Sequence, residues 1–523
     1  MQGKKDHQEK LFIQFQLSNR IPTDNFYRRL KEMLNLDFLY QSTSKHYGKE
    51  GQKSIDPVVF MKLMLVGYLE NITSDRRIVS TSKMRLDIIY FLGYDLEEVL
   101  PWHSTLSRTR KLYGEEVFLD LFKQVLKLCI NHGVISGKRQ AVDSALIPAN
   151  AAKQSMVERI VMEDAFVFSQ ELTANSEDEP EVPEKPETPE DDNQSGQGKP
   201  DKKNKKALGV NETHYSPSDP DARLTTKPGK PMRLYYRAQM SVDTASHYIT
   251  YIRAFKGNEA DNTSLPVMLP QIVANMAEHA IPVEEVLADT GYSSGKAIRA
   301  LIDNGIKGYI PNPGSYKSSR EDEGFTYDAD YDRYTCIMGV HLPFRRIESA
   351  YKEPTVLKKI YESNISDCKN CPFKEICANK RGFKKLIDSA DKQLYEYMQR
   401  RVESPKGKQM KSLRSSTVEP VFGSIINHTG LNRINAKGLK QANKCMLVAA
   451  AAYNLKKLLR LKFEPLIAAP TTVINGINVL LNGVFDRITN TYCWFNPATT
   501  PKPIAIVLIN ISKNVFIVSR LYY

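Results

Sequence analysis

The chain has 523 residues, 41% hydrophobic and 9% aromatic, enough to bury a real core without staples. Lys plus Arg number 73 against 60 Asp plus Glu, a net charge of +13, which points towards nucleic acid or another anionic surface. Seven cysteines are too sparse for a disulfide scaffold, and MQGKKDHQEK has no apolar leader core, so the reducing cytoplasm is the default compartment.

The first 135 residues read as mainly helical. PVVFMKLMLVGYLENI (57–72) and EEVFLDLFKQVLKLCINHG (115–133) repeat apolar residues at three- and four-residue spacing. Between them PWHSTLSRTRK (101–111) predicts a short basic helix, capped by Ser104 or Thr105 and presenting Arg108, Arg110 and Lys111. Such a helix in an all-helical region fits a helix-turn-helix-like DNA reader. Periodicity alone does not separate that from a solvated amphipathic helix.

The texture then changes. RQAVDSALIPA (139–149) predicts a strand with Asp143 in its middle. Residues 161–206 read as a flexible insertion: 171–200 hold ten acidic residues, two basic residues and five prolines, followed by a lysine run. Leaving out 171–200, the rest carries 71 basic against 50 acidic residues. RLYYRAQMSVD (233–243) and HYITYIRAF (247–255) predict a hairpin, with Asp243 as a turn residue. A helix over 263–279, the strand VEEVLADTGYSS (283–294), the helix GKAIRALIDNG and the strand KGYIPN follow. The order β, insertion, β, β, α, β, α, β predicts an α/β fold: a mixed sheet flanked by helices, close to ribonuclease H.

Asp143 and Asp289 stand out by position. A charge inside an apolar strand is costly unless it is bound or paired, and ligands in open α/β sheets gather at the carboxyl ends of strands. Glu419, in LRSSTVEPVFGSIIN, sits on a predicted helix, with Pro420 expected at a first turn or a kink. Three carboxylates of this kind suit Mg2+, which prefers hard oxygen ligands. Two ions about 3.5–4 Å apart can activate an attacking oxygen and stabilise a leaving one. Each acid taken alone fits a cap or an ion pair equally well.

Cys368-x2-Cys371-x5-Cys377, with Cys336 upstream, is a candidate zinc site, and His341 is an alternative fourth ligand. Four reduced thiols fit the spacing as well. Residues 386–462 read as helices. The last 59 residues carry five charges and read as short apolar, β-prone pieces. The uncharged run from Pro465 to Phe485 is too interrupted by Pro, Asn, Thr and Gly for a membrane span. No P-loop or dinucleotide fingerprint occurs.

Taken in order, SIDPVVFMKLMLVGYLENITSDRRIV, PWHSTLSRTRK, AVDSALIPANA, SPSDPDARL, VLADTGYSS, STVEPVFGSI and LVAAAAYNLKKLL resemble bacterial insertion-sequence transposases of the DDE class, over roughly residues 11–460. The resemblance implies a ribonuclease-H-like core over 136–160, 207–335 and 386–462, a cysteine-containing insertion over 336–385, and an atypical tail over 463–523. It implies Mg2+ or Mn2+ held by Asp143, Asp289 and Glu419 as catalytic acids. The expected partner is double-stranded DNA, at element ends and targets. A homo-oligomer on DNA, associated with the nucleoid, is expected, and no membrane. Relatives carry Tyr-x2-Arg-x3-Glu-x6-Lys around the Glu; here those slots hold Ser412, Ser415 and Ile426. Arg414, one place off, with Lys411 and Arg433, are the candidates for the phosphate contacts. An inactive end-binding protein and a nuclease without strand transfer are the alternative functions.

Overall fold

The computed structural model describes residues 15–48, 50, 54–159, 209–313, 320–321, 323–349 and 357–463, with the backbone of short strands between 503 and 522. The acidic insertion and the uncharged run after Pro465 lie outside the described residues. Residues 1–459 form one compact unit and residues 460–523 another.

The first unit opens with helices, as the periodicity predicts: α1 (Phe26–Met33), α2 (Phe38–Thr43), α3 (Pro57–Leu69), α4 (Asp75–Met84), α5 (Leu86–Leu92), α6 (His103–Leu112) and α7 (Glu115–Asn131). Their starts follow from capping chemistry. The Asn25 side chain accepts from the Tyr27 and Arg28 amides, and Asp56 accepts from Val58 and Val59 ahead of Pro57 at the first helical position. α3 is buried nearly all round, with Phe60, Met61, Leu63, Leu65 and Val66 fully enclosed, so it is the axis of this region rather than an amphipathic surface helix. α6 differs from expectation at its start. Trp102 is the N-cap and contributes no side-chain bond, so neither Ser104 nor Thr105 caps the helix.

A six-stranded mixed sheet follows: β1 (Arg139–Pro148), β2 (Arg223–Thr225), β3 (Arg233–Asp243), β4 (Ile249–Lys256), β5 (Glu285–Leu287) and β6 (Lys307–Tyr309). β1 pairs antiparallel with β3 and parallel with β5, and β5 pairs parallel with β6. β4 and β2 share the outer edge of β3. The main order, β4-β3-β1-β5-β6, is a mixed sheet with helices, as expected from the sequence. α8 (Asp261–Ala277) and α9 (Gly295–Asp303) are the crossovers.

After β6 comes an antiparallel sheet of β7 (Phe325–Asp328), β8 (Arg333–Cys336), β9 (His341–Ser349), β10 (Leu357–Glu362) and β11 (Lys385–Ser389). It begins at Phe325, earlier than the expected boundary at 336, because Phe325 and Tyr334 belong to its own small core with Leu342, Tyr361 and Leu386. Three helices close the unit: α10 (Lys392–Glu403), α11 (Pro405–His428) and α12 (Leu439–Phe463). Pro420 lies inside α11, not at its first turn, on an exposed position.

α12 explains how helices and sheet become one body. Ala449 to Ala452 are fully buried, and such small side chains let neighbours approach on every side. On the sheet side Asn454 accepts from the Ile249 amide at 3.0 Å and donates to its carbonyl at 2.8 Å, and Asn443 accepts from Ala254 at 3.0 Å. These amides satisfy the free edge of β4 as a neighbouring strand would. On the other side Lys444 donates to the last carbonyls of α6, Arg110 O at 2.9 Å and Tyr113 O at 2.5 Å.

In the second unit Val507–Ile511 pairs with Asn514–Val518 and Pro503–Ile504 with Leu521–Tyr522, all antiparallel, in keeping with the β-prone sequence. Among the described residues no helix is long and apolar enough to cross a membrane.

Candidate active site

β1 and β5 are in register over three residues, Arg139 with Glu285 through Ala141 with Leu287. Asp143 stands two residues beyond Ala141, and Asp289 two residues beyond Leu287. Side chains alternate with period two, so the two aspartates leave neighbouring strands on one face, side by side, at the point where the strands part. Asp143 accepts from the Ser144 amide at 2.7 Å, and Asp289 accepts from the Gly291 amide at 3.0 Å in the turn that ends β5.

The electrostatics agree with this placement. Burial pushes the Asp143 carboxyl above the usual carboxylate range, and the negative charge of Asp289 adds to the rise. The Ser144 amide and the Arg414 guanidinium oppose it. Arg414 Nη1 donates to Asp143 Oδ2 at 2.7 Å, and the two side chains are 15% and 19% exposed. About two turns earlier on α11, Lys406 pairs with Glu285, which also accepts from Arg139 Nε at 2.5 Å. Burial alone would raise Glu285; its bonds to Lys406 and Arg139 prevail and hold its pKa down. Two ion pairs therefore fix α11 across β1 and β5.

On the opposite face of the sheet lies a polar layer absent from the sequence reading. Arg237 Nη1 holds Asp261 at 2.8 and 2.9 Å, Gln239 donates to Asp261 at 2.8 Å, and the buried Tyr292 hydroxyl donates to Gln239. Burial, then the charges of Asp261, Asp143 and Asp289, raise the Tyr292 phenol. A Cβ on Gly291 would lie 3.1 Å from Asp289 Oδ1 and 3.4 Å from Asp261 Oδ2, so this glycine lets both carboxylates close over the turn. Arg237 and Gln239, alternating along an otherwise apolar strand, are the signal that would have marked this layer.

The remaining candidates divide. Glu419 is exposed on α11, about 140° round the helix from Arg414. It makes no hydrogen bond or ion pair among the described residues. The structure thus brings Asp143 and Asp289 together and leaves Glu419 apart. Among the described residues no three His, Cys, Asp or Glu side chains are grouped to hold a metal. Arg108 and Lys111 are exposed on α6, and Lys411 on α11. Arg110 corrects the sequence reading: it is drawn inward to Asp75 at 2.6 and 3.2 Å and is not free for phosphate. Arg414 is likewise committed to Asp143. Arg433 is exposed, donates to Asn150 at 3.0 Å, and lines a 390 Å³ cavity with Lys153 and Arg233. Asp243, expected as a turn residue, is fully buried, where it accepts from Gly137 N, Ser246 N and Ser246 Oγ.

The four thiols of the inserted sheet are neighbours. Cys336 and Cys377 pack on its small core. Burial raises the Cys377 thiol, Lys384 lowers it, and Cys368, Cys336 and Cys371 raise it further. They are not drawn into a metal-holding group. His341 is exposed, its Nδ1 3.1 Å from Thr335 Oγ1.

Comparison with known proteins bears on this geometry. Residues 15–112 match the family model described as a Transposase domain (DUF772), and residues 335–459 match a Transposase DDE domain. Glu419 falls inside the second match; Asp143 and Asp289 fall outside both. Among solved structures the chain is similar to a piggyBac transposase synaptic complex with hairpin DNA, at 12% identity over 87% of this chain and 83% of that one. Its TM-score of 0.21 is too low to carry a structural argument. No curated protein matches. Two transposase-domain matches, one over the N-terminal helices and one over the inserted sheet and closing helices, identify the chain as an insertion-sequence transposase of the DDE class, a metal-dependent enzyme that cuts and joins DNA.

Proposed function

We propose that Asp143 and Asp289 are the catalytic pair of this transposase and that Glu419 completes the set when DNA and metal are present. The observation that carries the reading is the equivalent place of the two aspartates, each two residues beyond the last register pair of β1 and β5, with Asp143 raised by burial and further by the charge of Asp289. Two crowded carboxylates beside a single guanidinium are a donor set that fits a hard divalent cation, Mg2+ or Mn2+. Glu419, exposed and unpaired within the matched DDE domain, is at liberty to turn towards them. When bound, the cations would activate the attacking oxygen and stabilise the leaving one. The chain's own residues do the rest. Ser144 N and Gly291 N orient the carboxylates, Glu285 with Lys406 and Arg139 sets α11 against the sheet, and the buried Tyr292 layer supports the Asp289 turn.

DNA recognition is assigned to α6 through Arg108 and Lys111, with Arg110 and Lys444 fastening that helix from within. Lys411 and Arg433 supply further phosphate contacts, and a homo-oligomer on DNA brings two element ends together. The Cys368-x2-Cys371-x5-Cys377 spacing, with Cys336 upstream, is what favours one structural zinc ion in the inserted sheet.

The test is a strand-cleavage and strand-transfer assay with Mg2+. Asp143→Asn and Asp289→Asn keep side-chain volume and remove charge. Each is expected to abolish both reactions while DNA binding and melting temperature stay near wild type. An Asp289→Asn enzyme that joins ends at the wild-type rate would refute the assignment.

A further inference from the structure

β1 loses its β5 partner after Ala141, so among the described residues that edge of β1 carries no strand from Asp143 onwards. Two ammonium groups are delivered to β1 just there, by the loop between β2 and β3. Its sequence is Thr226-Lys227-Pro228-Gly229-Lys230. The Lys230 amide donates to the Lys227 carbonyl at 2.9 Å, and Gly229 has φ 77°. Proline second and a positive-φ glycine third define a type II turn, which brings its first and fourth residues together. Those residues are the two lysines. Thr226 Oγ1 braces the turn by donating to Lys230 O at 2.7 Å.

Lys227 Nζ lies 3.4 Å from Ser144 Oγ, and Lys230 Nζ donates to Leu146 O at 3.2 Å. Ser144 follows Asp143 on β1, and its side chain lies on the sheet face that holds Arg237 and Gln239. Arg237 also reaches Ser144 Oγ, at 3.3 Å, but its charge is answered by Asp261. Neither lysine enters any ion pair among the described residues. Burial and then the charge of Lys227 lower the Lys230 amine. The turn therefore holds two like charges together on β1, with no carboxylate paired to either among the described residues. Repulsion of this kind is relieved by an anion, and the anion this enzyme must place beside Asp143 is a DNA phosphate.

We propose that Lys227 and Lys230, presented by the Lys-Pro-Gly-Lys turn, form a phosphate seat that holds the DNA backbone along the unpaired edge of β1 that follows Asp143. The seat rests on the reading of Asp143 as a catalytic acid. Because the turn is already formed, little ordering is needed when DNA arrives.

The test measures binding of the full-length protein to a fluorescein-labelled duplex of random sequence across a salt series, with melting temperature recorded alongside. Each phosphate contact contributes about −0.9 to the slope of log K against log salt. Lys227→Gln and Lys230→Gln are each expected to reduce that slope by about 1, and the double variant by about 2. At about 0.1 M salt the double variant should bind roughly 50-fold more weakly. The corresponding Lys→Arg variants should restore the slope. Lys127→Gln, an exposed lysine on α7, should change it little. If the double variant melts lower but keeps the wild-type slope, the lysines only pin the turn and the proposal fails. An equal loss in Lys127→Gln also overturns it, because the effect is then general charge. Asp143→Asn separates the two readings. Should it cut DNA normally, the acid assignment fails whatever the lysines do; a wild-type slope in the double variant defeats the phosphate seat alone.

Discussion

Arg414→Met tests the electrostatics of the site most directly, because it removes the guanidinium and keeps the apolar stem. Two unit charges near 4 Å apart interact by about 4 kcal/mol at an effective dielectric of about 20. Asp143 and Arg414 are mostly but not wholly buried, so solvent screening leaves about 2–3 kcal/mol. The sign with pH follows from linkage. The Asp143 carboxyl already titrates above its ordinary value in the folded protein, through burial and Asp289. A group raised in this way contributes stability below its unfolded pKa and loses it as pH rises through the folded one. Removing Arg414 raises it further, so the loss is full near neutral pH and shrinks as pH falls and Asp143 takes up a proton. The assay is denaturant unfolding at neutral and acidic pH, in a double-mutant cycle with Asp143→Asn. In the Asn background Arg414→Met should cost little, giving a coupling of about 2 kcal/mol. Magnesium should stabilise Arg414→Met more than wild type, since a cation binding only the folded form takes over the neutralising role. A coupling under about 0.5 kcal/mol, or a loss independent of pH, would refute the reasoning.

Lys406→Met releases Glu285, whose pKa is held low. That contribution is present at neutral pH and lost as pH falls through the folded value, so acid denaturation should begin at higher pH, with a loss of about 1 kcal/mol at neutrality because Lys406 is half exposed. Asp243→Ala strips the partners of Gly137 N, Ser246 N and Ser246 Oγ. It should cost about 2–4 kcal/mol in chemical denaturation and leave cleavage intact at temperatures where the variant is folded. Metal analysis of purified protein should find one zinc per chain, lost in Cys371→Ser with a lower melting temperature; a zinc-free wild type ends that proposal.

Much of the fold could be read because its signals are local. Asp56-Pro57 announces α3, and alternation marks β1 and β3. Even the β1/β5 neighbourhood of Asp143 and Asp289 follows from strand order. The fate of long cationic side chains could not be read in the same way. Arg108, Arg110 and Lys111 look alike in sequence. Only the packing of α6 on α4 shows that Arg110 turns inward to Asp75. Arg414 occupies a motif displaced by one residue, yet a one-residue step on a helix turns a side chain by about 100°, and that turn decides whether it meets Asp143. Asp243 reads as a turn residue, which it is, but its burial depends on Gly137 from the segment before β1. The Lys-Pro-Gly-Lys segment carries turn chemistry in its own residues, whereas what the turn touches depends on β1 and so on the fold.

The ion pair between Arg414 and Asp143 spans 271 residues of chain, and the contact of Lys444 with Arg110 spans 334. A ribosome adding about 5–20 residues per second takes roughly 15–55 s to make the first of these intervals. For that time β1 waits with a carboxylate that has no cation beside it, and α6 waits with its last carbonyls uncovered. Both debts are settled by the same late stretch, α11 and α12. A chain released early therefore lacks both the cation beside Asp143 and the donor that covers the end of α6.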